Sequence, residues 1–203
     1  MKKIHRLTTV MALVALMCVP AKAHDDDLRH EVAISYGAFP NSIWIDAITD
    51  VIPAAAGQQT DKNKWFGSLG VEYFYHTSPL LGLGAVATTS FSSEDVILNN
   101  KLTYYRTKTY VSLMPAVKLN WLRKNHWGLY SKVALGAIYA RFADKDYDDK
   151  GVKGSKVDAV SAWDFNWQVS LIGFEAGSER IRAFTELGIG EQGVALGGIR
   201  CKF

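Results

Sequence analysis

Stretches of about ten residues in which apolar and polar positions alternate with period two recur along this chain, and period two is the mark of a strand with two unlike faces. In Trp65 to His76, one face reads Trp65, Gly67, Leu69, Val71, Tyr73 and Tyr75, and the other Phe66, Ser68, Gly70, Glu72, Phe74 and His76. From Tyr105 to Leu122, the outward set Val111, Leu113, Pro115, Val117, Leu119 and Trp121 alternates with Ser112, Met114, Ala116, Lys118, Asn120 and Leu122, and Arg106 and Lys108 share the parity of Lys118. Trp163, Phe165, Trp167, Val169 and Leu171 alternate with Asp164, Asn166, Gln168 and Ser170. The spacing predicts about eight strands, at 30–39, 64–77, 80–92, 103–122, 127–143, 161–176, 180–190 and 193–203. Alternation alone fits one face of a soluble sandwich equally well. Aromatic placement selects a membrane barrel, since Tyr73, Tyr75, Trp121, Trp127 and Phe203 gather at one set of strand ends and Trp65, Tyr105, Tyr139 and Trp163 toward the other, as interface girdles require.

The connections alternate between long (Pro40 to Asn63, Ser93 to Leu102, Asp144 to Val160) and short (Ser78-Pro79, Arg123 to His126, Gly177 to Glu179), and the last external turn, Glu191-Gln192-Gly193, is tight. Short periplasmic turns with longer external loops belong to a barrel with both termini in the periplasm. The first long loop predicts a short helix, Ser42 to Ala56, with Ile43, Trp44, Ala47, Ile48, Val51 and Ile52 at helical spacing and Pro53 near its end. It could cap the barrel mouth, lie on headgroups or meet a partner. The run Asp144-Lys145-Asp146-Tyr147-Asp148-Asp149-Lys150-Gly151 has the acidic spacing of a calcium loop but lacks its closing Glu, so it reads as a solvated surface loop.

Lys2, Lys3 and Arg6, the apolar run Val10 to Val19 and Ala21-Lys22-Ala23 form the pattern of a secretory signal peptide spanning residues 1–23, cleaved after Ala23. Lipidation at Cys18 is the rival reading, disfavoured by the bulk of Met17. No later segment approaches the roughly 20 consecutive apolar residues of a spanning helix. Removing Lys2, Lys3, Arg6 and Lys22 from the 23 basic residues leaves 19 against 20 acidic, a net charge of −1, so the apparent basicity implies no nucleic-acid partner. Cys201 then stands alone, and the exported chain folds without an internal disulfide. Residues 24–203 suffice for one domain, which opens on His24-Asp25-Asp26-Asp27, a polar leader with metal binding as its alternative.

The signal, the strand spacing, Glu186-Leu187-Gly188-Ile189-Gly190 before a tight turn and the final Gly197-Gly198-Ile199-Arg200-Cys201-Lys202-Phe203 resemble the small eight-stranded outer-membrane β-barrel proteins of the porin-family, OmpX/OmpA-like group. The resemblance covers essentially all of residues 24–203 and rests on architecture. Cys201 departs from it, since the group more often places a large residue two before the terminal Phe. It implies an all-β, antiparallel up-and-down transmembrane barrel in the outer membrane of a Gram-negative cell. The implied partners are outer-membrane lipid and lipopolysaccharide, the assembly machinery through the strand ending in Phe203, and an extracellular ligand of the loops, with the barrel a monomer.

The inward charges expected from parity are Glu72, Arg106, Lys108, Lys118, Lys132, Asp164, Arg182, Glu186 and Arg200. With Phe66 they should fill the narrow interior of an eight-stranded barrel and block it, Glu186 and Arg200 pairing across the last hairpin and any cationic excess being balanced by water or loop acids. His76-Thr77-Ser78 matches the His-x-Ser arrangement of lipid A deacylases, which are also eight-stranded barrels, but beside Pro79 it falls at a periplasmic turn and lacks the Asn expected after the Ser. No phosphate loop, zinc-spaced set or serine-hydrolase elbow is present. The sequence therefore designates no catalytic, cofactor-binding or metal residue and points to a non-enzymatic envelope or surface-interaction role, with a narrow solute channel as the alternative and a lipid A-modifying enzyme third.

Overall fold

A computed structural model describes residues 28–42, 58–98, 101–146 and 158–203. Eight antiparallel strands, β1 (His30–Ala38), β2 (Gln58–His76), β3 (Leu81–Leu98), β4 (Lys101–Arg123), β5 (Trp127–Asp146), β6 (Asp158–Gly177), β7 (Ile181–Gly190) and β8 (Ala195–Lys202), follow one another in order and close into a barrel. The seam joins β1 to β8, and beyond its last paired strand residues, His30 and Phe203 exchange both backbone hydrogen bonds at 2.9 Å while their rings stack.

The two faces are inverted relative to a soluble protein. Leu83, Val111, Leu113, Val117, Leu119, Val133, Leu135, Leu187, Ile189 and Ile199 are exposed on the outside, whereas Glu31, Glu72, Lys118, Lys132, Gln168, Glu186 and Arg200 are buried inside. The interior holds apolar side chains as well, with Phe74, Val86, Met114, Ala116 and Ala134 packed together on the β2 to β5 side. Two interior positions require glycine for close approach. A Cβ at Gly173 would stand 2.3 Å from the Tyr130 ring, and one at Gly198 would stand 2.9 Å from the Phe184 ring, so each absent side chain is a socket for the aromatic paired with it on the neighbouring strand.

β-Bulges overturn two facing expectations. The register shifts between Phe66 and Leu69, so Phe66 points outward, half exposed and edge-on to Tyr36, instead of filling the interior. A second shift between Ser170 and Ile172 leaves Leu171 and Ile172 both exposed and turns Gly173 and Glu175 inward. The Ser131 hydroxyl donates to the Leu171 carbonyl at this bulge, which explains a serine on an otherwise apolar outer face. Cys201 keeps the outward parity of Ile199 but is buried, between Val32 and Ile181 on the flanking strands.

The strands also run past their expected ends. Ser93 to Leu98 continues β3, Lys101 begins β4, Gln58 begins β2, and Asp144 to Asp146 with Asp158 to Val160 prolong β5 and β6, all in places expected to be loop. Hydropathy alternation needs an apolar medium on one side; where both faces meet water the contrast vanishes although backbone pairing continues. Of the helix expected from Ser42 to Ala56, only Ser42 lies within the described residues, and it follows Asn41 in helical backbone.

Candidate functional site

The inward side chains form two ionic layers. In the half nearest the short turns, Glu31 of β1 receives Lys118 Nζ at 2.7 Å and His76 Nε2 at 3.1 Å, with Arg200 Nε at 3.5 Å. Glu175 of β6 is the hub: it binds Arg182 Nη1 at 2.7 Å, Arg200 Nη1 and Lys202 Nζ, and Lys118 Nζ lies at 3.6 Å. Deeper in, Lys132 Nζ bridges Glu72 at 2.6 Å and Glu186 at 2.9 Å. Tyr130 joins the layers, since its hydroxyl accepts from Arg200 Nη2 at 2.8 Å and donates to Glu186 at 2.6 Å, and Lys118 and Arg200 lie 4.2 and 4.5 Å from its ring centroid.

Five cations, Lys118, Lys132, Arg182, Arg200 and Lys202, thus meet four carboxylates, Glu31, Glu72, Glu175 and Glu186. These four acids all stand on strands, whereas water or loop acids were expected to balance any cationic excess; Asp144, which pairs with Arg106, comes from a segment expected to be loop. Of the expected inward charges, Glu72, Lys108, Lys118, Lys132, Arg182, Glu186 and Arg200 are buried, while Arg106 sits near the outer mouth, its guanidinium paired with Asp144 at 2.9 Å. Asp164 is a correction: it is exposed where β6 has left the barrel, its carboxylate accepting the Phe165 N–H. Glu186 and Arg200 come within 3.7 Å, although neither is the other's nearest partner. Sequence reading missed Glu31, Glu94, Glu175 and Glu191. The parity of β1 would have found Glu31, whereas Glu175 was hidden by the bulge.

An eight-stranded barrel has an interior just wide enough for side chains to fill, and Arg200, Tyr130, Phe74, Lys118 and Lys132 are among the large side chains fully buried here. Purified protein in a planar bilayer is expected to show no stable single-channel steps, and Glu186→Ala to open none. Large, steady conductance altered by Arg200→Ala would reverse that reading.

At the outer mouth, Phe39 adopts a left-handed backbone (φ 57°) that turns the chain after β1, and Ser42 is carried into a buried position. There the Glu191 carboxylate accepts the Ser42 N–H at 3.1 Å and the Ser90 hydroxyl at 3.3 Å. Burial pushes the Glu191 carboxyl up to about 7, and the Ser42 and Ser90 donors offset only part of that rise. A carboxyl raised in the folded state adds stability below its unfolded value of 4.5 that is lost as pH rises through about 7. The urea midpoint should therefore fall across that window, and Glu191→Gln should flatten the fall; an unchanged slope in the variant would refute the assignment.

At the opposite end, Leu28, Arg29, His76, Thr77, Ser78, Pro79 and Arg123 line a cavity of about 270 Å³. The His-x-Ser residues lie here without forming a catalytic pair. Asn120 Nδ2 donates to His76 Nδ1 at 3.4 Å while Nε2 faces Glu31, and Ser78 Oγ accepts the Leu81 N–H at 3.1 Å. Among the described residues, no group of three or more His, Cys, Asp or Glu could hold a metal ion.

The outer half is asymmetric. β1 pairs with β2 only up to Gly37 and Ser68, and β7 pairs with β6 only from Gln168 onward, so β2 to β6 continue as a five-stranded sheet beyond the barrel. Within the described residues, one edge of this sheet is β6 from Asp158 to Trp167, and positions 159 to 165 are exposed on both faces, Trp163 at 73 % and Phe165 at 64 %. Tyr139 and Trp163 pair at a ring distance of 5.1 Å near its base. Tyr105, expected in the same girdle, pairs with Lys145 and stands six residues farther out than Val111, the partner of Tyr139; the Trp65 side chain lies outside the described residues.

No protein-family model matches the chain, and no curated protein matches it. Among solved structures it is similar to Ail, the attachment invasion locus protein of Yersinia pestis, in complex with the heparin analogue sucrose octasulfate, at 9 % identity and a TM-score of 0.44, covering 86 % of this chain and 97 % of that one. It is likewise similar to a second structure of Ail, at 11 % identity and a TM-score of 0.40 over the same shares.

Proposed function

We propose that this chain is a non-enzymatic outer-membrane barrel that presents a rigid β-sheet at the cell surface for interaction with other molecules. The observation that carries this reading is the projecting sheet of β2 to β6, whose edge strand and aromatic faces are open to water. An exposed sheet edge offers unpaired backbone donors and acceptors, and natural proteins normally blunt such edges. Here the Asp164 and Asn166 side chains accept the Phe165 and Trp167 N–H groups and so blunt the edge in part, while exposed Val160, Trp163 and Phe165 fit a surface maintained for contact. The membrane placement is supported by the apolar outer belt on a closed barrel, where no strand edge faces hydrocarbon. In this reading residues 1–23 are a signal peptide cleaved after Ala23, the strand ending in Phe203 is read by the assembly machinery, lipopolysaccharide surrounds the outer belt, and the barrel is a monomer.

The test compares cells displaying the full protein with cells displaying a variant whose β2 to β6 are cut back to the ends of β1 and β7 and rejoined by short turns. Both are scored for adhesion to immobilised extracellular-matrix proteins and host-cell surfaces. Adhesion by the full protein that disappears in the variant is expected. Equal adhesion, or none in either, would sink the surface-interaction role.

A further inference from the structure

The end of the barrel with the short turns carries more positive charge than its own acids offset. In the ionic layer nearest that end, four cations, Lys118, Arg182, Arg200 and Lys202, meet two carboxylates, Glu31 and Glu175, which leaves an excess of two positive charges. The deeper layer answers only in part, since Lys132 faces Glu72 and Glu186 and one negative charge is left there. Buried charge is screened less by salt and water than charge at a surface. The cavity of about 270 Å³ opens at this same end, and His76 is the wall it shares with the layer, its Nε2 lying 3.1 Å from Glu31.

Arg29, from the segment before β1, and Arg123, the last residue of β4, add two more cations to the lining. Arg123 Nη2 reaches the Leu28 carbonyl at 3.4 Å, a long bond that leaves most of the guanidinium donors for another acceptor. Ser78 Oγ accepts the Leu81 N–H and keeps its own proton to give. His76 gives nothing to the cavity, because Asn120 donates to Nδ1 and Glu31 faces Nε2. Among the described residues no carboxylate lines the space, and Glu179 stands on the β6–β7 turn, across the barrel from Ser78 and Pro79 on the β2–β3 turn. A guanidinium fork with a hydroxyl beside it matches a carboxylate, and Leu28 and Pro79 supply an apolar wall for a small side chain. Smaller than the roughly 300–1,000 Å³ of pockets for drug-sized ligands, the cavity suits one or two amino-acid residues.

We propose that this cavity captures the free carboxylate at the end of a short peptide, with Arg123 as its principal partner and Ser78 and Arg29 beside it. In this role His76-Thr77-Ser78 supplies a wall and a donor, with no nucleophile. The membrane placement above puts this end in the periplasm, while the binding itself does not depend on that placement. The site gives the barrel a second contact surface, at the end opposite the projecting sheet.

The experiment folds the protein in nonionic detergent micelles and titrates it with N-acetyl-dialanine, with the same dipeptide amidated at its C-terminus, and with inorganic phosphate, following the arginine Nε–H and the Ser78 N–H signals by NMR. Folding of each variant is checked by the altered gel migration of an unheated barrel. Saturating shifts with the acid and none with the amide are expected, with affinity reduced about tenfold in Arg123→Gln, less in Ser78→Ala, and partly restored in Arg123→Lys. Lys124→Gln, one residue along at an exposed position outside the lining, should leave the affinity unchanged. Equal shifts with the amide, unchanged affinity in Arg123→Gln, an equal loss in Lys124→Gln, or phosphate binding as tightly as the peptide acid would each overturn the site. Binding that appears only in the combined variant Asp25→Asn, Asp26→Asn and Asp27→Asn would overturn it as well, assigning the cavity to the chain's own acidic segment. None of these outcomes bears on the adhesion measured for the projecting sheet.

Discussion

Glu175→Gln should destabilise the barrel by about 3–5 kcal/mol, the usual cost of removing one partner from a buried ionic cluster. Its carboxylate is the meeting point of Arg182, Arg200, Lys202 and Lys118, and the amide would preserve its shape while removing the charge that holds four cations together. Glu31 already serves Lys118 and His76 and cannot absorb the surplus. Urea titration in lipid vesicles measures the loss. The companion substitution Lys202→Met removes one of the stranded cations, so the double variant should recover part of the deficit and the two effects should be non-additive. A loss below about 1 kcal/mol for Glu175→Gln, or strict additivity with Lys202→Met, would show that the cluster is not the organising core argued here.

Val117→Arg and Leu113→Arg should each cost about 2–4 kcal/mol, because both side chains lie on the outer belt where a guanidinium near the bilayer midplane loses its hydration. Asn166→Ala, at a buried interior position near the outer mouth, should cost distinctly less. Gln168→Ala falls between them: its side-chain oxygen accepts the Gln192 N–H at 2.8 Å and its amide donates to the Gly193 carbonyl, so truncation frees the last external turn at about 1–3 kcal/mol. The same titration ranks the four. Equal losses for Val117→Arg and Asn166→Ala would mean that the outer face does not meet lipid.

The open edge of β6 and the closed seam between β1 and β8 divide the molecule into a part that resists pairing with strangers and a part that invites it. His30 and Phe203 complete the ladder at the seam, which is paired from there to Ala38 and Ala195 and leaves no open edge between β1 and β8. The projecting sheet can leave an edge without a neighbouring strand because water and the Asp164 and Asn166 side chains can satisfy it. This division follows from strand length alone: β1, β7 and β8 have 9, 10 and 8 residues, whereas β4 has 23.

Local alternation was enough to determine the strand count, their antiparallel order, the short turns and the inward parity of Glu72, Lys118, Lys132, Arg182, Glu186 and Arg200, because a strand between lipid and a polar interior must change character at every residue. Only the tertiary structure decided where that rule is interrupted. Phe66 and Glu175 lie beside bulges that insert one residue and reverse the parity of everything beyond, and a bulge is set by hydrogen bonds to the neighbouring strand, which a single stretch of sequence does not encode. The continuation of β2 to β6 into water was equally hidden, since a strand wet on both faces carries no hydropathy period. The meeting of Glu31, Lys118, Glu175, Arg182, Arg200 and Lys202 depends on five strands brought together across the barrel. Parity tells which way a charge points, and closure of the sheet decides what it meets.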